Sequence, residues 1–180
     1  MKVIGVTGLP GSGKGLIFDK AQEKGAIVVN MGDRIREVAA ERGADVGVTA
    51  RKLREEQGQY IVAKLTIKKI QELLEEKTDA KIILIDGIRS AYEVELFENS
   101  FDDFVSIAIF ASPKLRFERL QLRNREDDSS DYEDFKERDQ RELEFGIGTV
   151  IATSDYLIKN ETSLEDYEKE IEDLLNELIN

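Results

Sequence analysis

The hydrophobic residues of this chain gather in five short runs, separated by longer and more polar segments. The runs are Val3–Val6, Ile27–Val29, Ile82–Ile85, Phe104–Phe110 and Tyr156–Ile158. Several are continuous instead of alternating with polar residues, which is typical of strands buried on both faces of a parallel sheet. The pattern therefore predicts a three-layer α/β fold, in which a five-stranded, mostly parallel sheet has helices on both faces.

The segments between the runs have the length and the capping residues of helices. We predict helices at Gly13–Glu23, Asp33–Arg42, Ala50–Lys77, Pro113 to about Arg125, Asp131–Gly146 and from Ser163 onward. Gly58 is a candidate break in the longest segment, because glycine weakens a helix interior. Ser163 and Asp166 resemble a capping box at the start of the last helix. The length of 180 residues suits a single domain, 1–180.

The composition narrows the chemistry that the chain can carry out. It contains no Cys and no His, which excludes His-dependent triads, His-ligated metals, zinc ribbons and thiol chemistry. Asp and Glu outnumber Lys and Arg by 38 to 26, and the net charge of −12 argues against nucleic acid as a partner. The N-terminus shows no signal-peptide pattern, and no run approaches the roughly 18 apolar residues of a membrane helix. We therefore expect a cytoplasmic protein with no membrane partner.

A glycine-rich segment follows the first hydrophobic run. Residues Gly8–Gly15 read GLPGSGKG, which fits the phosphate-binding pattern G-x-x-x-x-G-K. Glycines let the backbone wrap around a phosphate, the start of the next helix favours an anion, and Lys14 adds a positive charge. A glycine-rich turn with a chance lysine is the alternative. The position between a buried strand and a helix favours phosphate binding instead.

This loop resembles the loop of adenylate kinases, G-x-P-G-x-G-K-G-T, and matches it from Gly8 through Gly15. Leu16 stands where that family has Thr, which removes a hydroxyl that would contact a nucleotide phosphate. Gly15 stands where most phosphate-binding loops have a Ser or Thr to hold Mg²⁺.

Two further segments are similar to motifs of adenylate kinases and related nucleoside monophosphate kinases. Gly32–Arg36, with the sequence GDRIR, resembles G-D-x-x-R, and Asp86–Arg89, with the sequence DGIR, resembles D-G-F-P-R with one residue missing. The resemblance implies that Asp86 orients Mg²⁺ through water and that the acceptor is bound by Asp33, Arg36, Gly87 and Arg89. Alternatives remain at these positions: a helix N-cap for Asp33, an exposed helix face for Arg36 and a turn cap for Asp86.

A group of arginines resembles the segment at which the lid of these kinases begins: Arg116, Arg119, Arg123 and Arg125. The next residues, 125–128, are similar to the R-x-D-D that closes the lid. The resemblance implies a short helical lid at about 119–141 and acceptor-binding helices at about 32–77. Arg119 would lie over the donor adenine, and Arg123 and Arg138 would neutralise the migrating phosphoryl group. A surface helix with ordinary salt bridges is the alternative.

Together with the stretch R-D-x-x-E-L-x-x-G-I-G at Arg138–Gly148, these motifs resemble a little-characterised archaeal group related to adenylate kinases and dephospho-coenzyme A kinases. In the latter, a similar final strand and loop approach the adenine, which makes Asn160 a further candidate. The resemblance implies a P-loop phosphotransferase that binds ATP and Mg²⁺ and transfers the γ-phosphate to a nucleoside monophosphate such as AMP.

The resemblance also assigns residues to each step. The catalytic residues would be Lys14, Asp86, Arg123 and Arg138. ATP would be bound by Gly8, Pro10, Gly11, Ser12, Gly13, Lys14, Gly15, Leu16, Arg119 and Asn160. Two other functions stay open: a kinase for another acceptor such as dephospho-coenzyme A, and a nucleotide-regulated ATPase or AMP-binding switch without kinase activity.

Overall fold

Five strands form one sheet at the centre of the molecule. The computed structural model describes residues 1–76, 81–123 and 131–179. The strands are β1 (Lys2–Thr7), β2 (Ile27–Asn30), β3 (Ile82–Asp86), β4 (Phe104–Phe110) and β5 (Tyr156–Lys159). Their order in the sheet is β2-β3-β1-β4-β5, and every neighbouring pair is parallel. The predicted five-stranded α/β fold is confirmed, and each predicted strand lies within one or two residues of its observed bounds.

The helices follow the strands in the alternation that the sequence predicts. They are α1 (Gly15–Glu23), α2 (Met31–Arg42), α3 (Val46–Gln57), α4 (Ile61–Glu76), α5 (Ala91–Ser100), α6 (Pro113–Arg123), α7 (Tyr132–Phe145), α8 (Ile147–Thr153) and α9 (Leu164–Ile179). The segment that the sequence predicts as one helix from Ala50 is two helices, because Gly58 ends α3 with φ +87°. Helices α5 and α8 are additional to the predicted set.

Hydrophobic clusters cover the two faces of the sheet. Side chains alternate along a strand, so Val3 and Ile83 face one cluster while Ile4 and Leu84 face the other. The first cluster includes buried residues of α2, α3, α4 and α8, and the second those of α1 and α9. Both faces are therefore covered by helices, which explains why the strands read as continuous hydrophobic runs.

Helices α6 and α7 pack against each other through aromatic side chains. The Phe117 ring lies 5.1 Å from the Tyr132 ring and 5.3 Å from the Phe135 ring, measured between centroids. We call this pair of helices the α6–α7 hairpin. It spans most of the predicted lid, whereas the predicted closing motif at 125–128 lies outside the described residues. No described helix is long and apolar enough to cross a membrane.

Candidate nucleotide-binding site

The glycine-rich loop lies at the carboxyl edge of the sheet, between the end of β1 and the start of α1. Strand β1 is flanked by β3 and β4. Helix α1 covers one face of the sheet, and α2 covers the other. Open α/β sheets bind ligands at this type of position. The loop is therefore where the predicted phosphate site requires it to be.

Three glycines of the loop have no room for a side chain. Gly11 has φ +80°, and a Cβ atom there would lie 2.6 Å from the backbone oxygen of Arg116. Gly13 has φ +95°, and its Cβ atom would lie 2.2 Å from Nδ2 of Asn160. Backbone angles and close contacts thus both require glycine at these positions. Gly8 is similarly crowded, since its Cβ atom would lie 2.5 Å from the backbone oxygen of Ile109.

Side chains from distant parts of the chain bind the carbonyl groups of this loop. Nη1 of Arg116 donates to the Pro10 oxygen over 3.1 Å, and Nδ2 of Asn160 donates to the Ser12 oxygen over 2.8 Å. The Tyr167 hydroxyl donates to the Gly13 oxygen over 2.9 Å, and burial raises the pKa of this hydroxyl. The loop backbone is therefore fixed by the protein itself, which reduces the ordering cost of binding a phosphate.

Asn160 and Arg119, both predicted to contact the donor nucleotide, lie next to each other behind the loop. Asn160 is 6% exposed, and its backbone and side-chain oxygens accept from Nη2 of Arg119 over 3.0 and 3.2 Å. Nη1 of Arg119 is buried and has no hydrogen-bond partner within the described part of the chain. Asn160 thus supports the loop directly, and contact with an adenine stays a prediction for both residues.

Lys14 and Asp86 carry opposite charges at the centre of the site. Nζ of Lys14 donates to the Gly8 oxygen over 2.5 Å. Burial lowers the pKa of Lys14, and the Asp86 carboxylate opposes that effect. Asp86 ends β3, where Oδ2 accepts from Nδ2 of Asn30 over 2.7 Å. Burial raises the pKa of Asp86, whereas Lys14 and Arg89 lower it.

The residues predicted to bind the acceptor surround the same carboxylate. The charges of Arg89, Asp33 and Arg36 all act on the pKa of Asp86, after burial and Lys14. Arg36 forms an ion pair with Asp33, and more than half of each side chain is exposed. Gly87 turns the chain after β3 with φ +98°.

The N-cap of α2 is Asn30 and not Asp33, which excludes the alternative role that the sequence leaves open for Asp33. Oδ1 of Asn30 accepts from the Gly32 amide over 2.8 Å. Asp33 is already in the first turn of α2. The side chain of Asn30 joins this cap to Asp86 on the neighbouring strand, so two of the predicted motifs are linked at their starts.

Glu93, which sequence reasoning missed, and Arg54 hold the turn that carries Arg89. Oε2 of Glu93 accepts from the backbone amide of Arg89 over 2.8 Å, and only 1% of the Glu93 side chain is exposed. Nη2 of Arg54 lies 3.2 Å from Oε1 of Glu93, and its guanidinium lies over the Phe145 ring. The signal was present in the sequence, because Ser90-x-x-Glu93 is a capping box.

The α6–α7 hairpin carries the other charged residues that the sequence predicts for the site. Arg123 ends α6, and its charge lowers the pKa of Lys14, although burial is the main cause. Arg138 is half-buried on α7, next to Asp139. Asp139 pairs with Arg116, and Oε2 of Glu142 lies 3.2 Å from Nε of Arg89. Arg125 lies outside the described residues.

Gly15 and Leu16, which depart from the adenylate kinase pattern, differ in their surroundings. No atom lies within 4 Å of a Cβ atom built on Gly15. Leu16 is half-buried and packs against the hydrophobic cluster on the α1 and α9 face of the sheet. Ser12 is buried, and its hydroxyl has no hydrogen-bond partner among the described residues.

Asp86 is the residue that fits the Mg²⁺ ion implied by the resemblance. No cluster of three acidic side chains suited to a metal occurs within residues 1–76, 81–123 and 131–179. Mg²⁺ keeps several waters and is usually bound by one or two carboxylates together with substrate phosphates. A single carboxylate at the end of β3, whose charge interacts with Lys14 of the glycine loop, suits that arrangement.

Comparisons with known proteins agree with this fold. Residues 7–136 match the family described as AAA domain. A solved structure from Thermus thermophilus, TT1252, has a TM-score of 0.69 at 18% identity and covers 99% of this chain and 98% of that one. Shikimate kinase from Bacteroides thetaiotaomicron has a TM-score of 0.61 at 17% identity, with 97% and 98% covered. Both likenesses show the P-loop kinase fold.

A relative with closer sequence similarity comes from Methanothermobacter thermautotrophicus. This UPF0200 protein is 50% identical over 178 residues, which cover 99% of this chain and 91% of the relative. A UPF0200 protein of Methanocaldococcus jannaschii is 44% identical, with 100% and 92% covered. The glycine loop, the fold and this similarity lead to one conclusion: the chain is a P-loop kinase-like protein that belongs to the UPF0200 family.

Proposed function

We propose that this protein transfers the γ-phosphoryl group of ATP to a nucleoside monophosphate, most simply AMP. The observation that carries the proposal is the surroundings of Asp86. Lys14 of the glycine loop and Arg89 and Arg36 of the acceptor motifs all act on the charge of this one carboxylate. The parallel register of β1, β2 and β3 brings the loop and these motifs to one edge of the sheet, which supports a site for two phosphate groups. Phosphoryl transfer depends mainly on such positioning and on charge stabilisation.

Each charged residue has a role in this reaction. Lys14 and the loop amides bind the donor phosphates, and Arg89 and Arg36 bind the acceptor phosphate. An acceptor phosphate oxygen forms a bond to the γ-phosphorus, and the bond from that phosphorus to the β,γ-bridging oxygen breaks. Arg123 and Arg138 stabilise the charge on the moving group. Bound Mg²⁺ would supply charge neutralisation at the donor phosphates, with Asp86 orienting its waters.

A phosphoryl-transfer screen tests the proposal. The protein is incubated with ATP, Mg²⁺ and one of AMP, CMP, UMP, GMP or dephospho-coenzyme A, and the products are separated by chromatography. We expect two ADP from ATP and AMP. Lys14→Met should lower turnover by about 100-fold or more, the scale for removing one charge-stabilising group. Lys24→Met is the matched control, because Lys24 follows α1 and contacts Asn176 instead. Full turnover by Lys14→Met would remove Lys14 from the mechanism.

Leu16 and Gly15 favour a second candidate, a nucleotide-regulated switch without kinase activity. Leu16 packs against the hydrophobic cluster, and Gly15 has no hydroxyl for Mg²⁺. Slow turnover of ATP that does not depend on an acceptor would support this candidate, as would tight AMP binding without product. A product with dephospho-coenzyme A alone would keep the donor chemistry and change the acceptor.

A further inference from the structure

Helix α7 carries two carboxylates that reach the two halves of the site. Asp139 pairs with Arg116, which is 1% exposed and donates to the Pro10 oxygen of the glycine loop. Glu142 lies three residues further along the same helix, and its Oε2 is 3.2 Å from Nε of Arg89. Residues three apart share one side of a helix. One side of α7 therefore contacts both the residue that holds the donor loop and the arginine proposed for the acceptor.

The backbone after α7 keeps Glu142 at this position. Gly146 ends the helix with φ +104°, and a Cβ atom there would lie 3.6 Å from the Arg89 oxygen. The last turn of α7 therefore packs closely against the Arg89–Ser90 backbone, and Ile147 after it is buried. Glu142 is one turn before Gly146. Its contact with Arg89 follows from the path of the backbone and not only from the side-chain conformation.

The exposure of the two side chains shows which one a ligand can reach. The Arg89 side chain is 43% exposed, whereas the Glu142 side chain is 14% exposed. The backbone of Arg89 is held by Glu93. A ligand phosphate that approaches Arg89 from solvent thus meets a guanidinium that already has a carboxylate partner. Because like charges repel, the phosphate and Glu142 compete for this guanidinium.

We propose that Glu142 is the counter-ion of Arg89 and that an acceptor phosphate competes with it for the Arg89 guanidinium. A carboxylate tethered to the protein has a high effective concentration, so a free carboxylate ligand gains little by replacing it. A phosphate dianion carries more charge and three acceptor oxygens, so it displaces Glu142. A neutral ligand does not engage Arg89. This inference rests on the proposed role of Arg89 in binding the acceptor.

Titration calorimetry with two matched ligands tests this inference, with AMP as the phosphate dianion and adenosine as the neutral control. The variants are Glu142→Gln, Arg89→Ala and the double variant. Glu144→Gln is the matched control, because it removes the same charge from an exposed position on α7. We expect Glu142→Gln to bind AMP about 5-fold more tightly, the factor for a partly exposed ion pair of ~1 kcal/mol. Adenosine binding should not change.

The same substitution made in the Arg89→Ala variant shows whether the higher AMP affinity of Glu142→Gln depends on the ion pair. There we expect Glu142→Gln to alter the AMP affinity by less than about twofold, because the pair no longer exists. The inference is wrong if Glu142→Gln binds AMP no more tightly than Glu144→Gln, including the case in which neither binds AMP. It is also wrong if the gain persists without Arg89.

Phosphoryl transfer by the same variants separates this inference from the proposed function. If Glu142→Gln gains AMP affinity through Arg89 but no variant forms ADP from AMP, the kinase proposal fails and the inference stands. If the wild-type protein forms ADP but Glu142→Gln gains no affinity, only the inference fails. In an active enzyme we expect Glu142→Gln to lower the KM for AMP, as for a group that opposes acceptor binding.

Discussion

Tyr167 holds the glycine loop although it lies 154 residues after Gly13 in the chain. We expect Tyr167→Phe to lower the free energy of unfolding by about 1 kcal/mol, the usual loss for one hydrogen bond. ATP binding should weaken several-fold, because the Gly13 carbonyl is no longer held. Urea unfolding and calorimetry measure the two effects. Tyr60→Phe is the control, since Tyr60 donates to the exposed Glu95. Unchanged ATP affinity in Tyr167→Phe would contradict the supporting role.

Gly15 offers a test of the missing Mg²⁺ ligand. A Cβ atom at this position has no neighbour within 4 Å, so Gly15→Ser introduces a hydroxyl without a clash. We expect the variant to bind ATP several-fold more tightly when Mg²⁺ is present and equally well when it is absent. Circular dichroism is the control for folding, and it should show the same helix content in Gly15→Ser as in the wild-type protein. Equal affinities with Mg²⁺ would show that the hydroxyl is not needed.

Lys14 gives the protein a stability that depends on pH. Because burial lowers its pKa from the ordinary 10.5, the folded state binds this proton less tightly than the unfolded state. Stability therefore rises with pH between the lowered pKa and 10.5, where the unfolded lysine loses its proton. Below that window the wild-type protein carries the full cost of the charge. Lys14→Met removes this cost along with the donor contact.

We expect Lys14→Met to melt a few degrees above the wild-type protein at pH 7, and the gap should narrow as the pH approaches 10.5. Thermal unfolding from neutral to alkaline pH measures this, with Lys24→Met as the control. A gap that stays constant over this range would contradict the cause assigned to the lowered pKa. A more stable but inactive variant would show that the charge is kept for function.

Some residues of the candidate site could be predicted from the sequence, and others could not. The loop glycines were predictable, because their spacing reports a backbone shape directly. The side chains that hold the loop were not, because Arg116, Asn160 and Tyr167 lie more than 100 residues away in the chain. No local pattern identifies such partners. Asn30 is a local N-cap of α2, whereas its hydrogen bond to Asp86 joins residues 56 apart and has no local signal.

At the scale of elements, the longest predicted segment, Ala50–Lys77, is divided at Gly58, the break that the sequence offered as a candidate. Its apolar residues recur every seven positions through Leu53 and Tyr60, yet Gly58 divides it into α3 and α4. The spacing of seven residues continues across the three residues that separate the two helices, so it does not reveal the break. Helix α8 has seven residues and no side-chain cap, so its sequence offers few features from which a helix can be predicted. Helix α5 has a full capping box and was predictable from Ser90 and Glu93.

Asp139 is the residue on which the packing of the α6–α7 hairpin depends. It pairs with Arg116, whose guanidinium lies 5.1 Å from the Phe135 ring centroid. Asp139→Asn leaves a buried guanidinium without an ionised partner, so we expect a loss of about 3 kcal/mol in the free energy of unfolding. Urea unfolding measures the loss, and the exposed Glu137→Gln on the same helix is the control. A change as small as that of the control would contradict the structural role of the pair.

At the scale of the whole molecule, the parallel sheet brings the motifs together. The carboxyl ends of β1, β2 and β3 lie at one edge, and Asp86 pairs in register with both Val6 and Asn30. Each of the three motifs follows one of the hydrophobic runs in the sequence, and a parallel sheet brings such positions to one edge. The sequence did not predict the strand order or the contacts of α7 with both halves of the site. Those depend on how distant segments pack.

We propose that these motifs form one site for direct phosphoryl transfer. The most direct measurement uses ATP labelled with ¹⁸O in the γ-phosphate, incubated with AMP and Mg²⁺ and followed by ³¹P NMR. Direct transfer predicts the labelled phosphate as the β-phosphate of ADP formed from AMP, and no such product from Arg89→Ala above background. Label found only in inorganic phosphate, at a rate that does not depend on AMP, would contradict the claim.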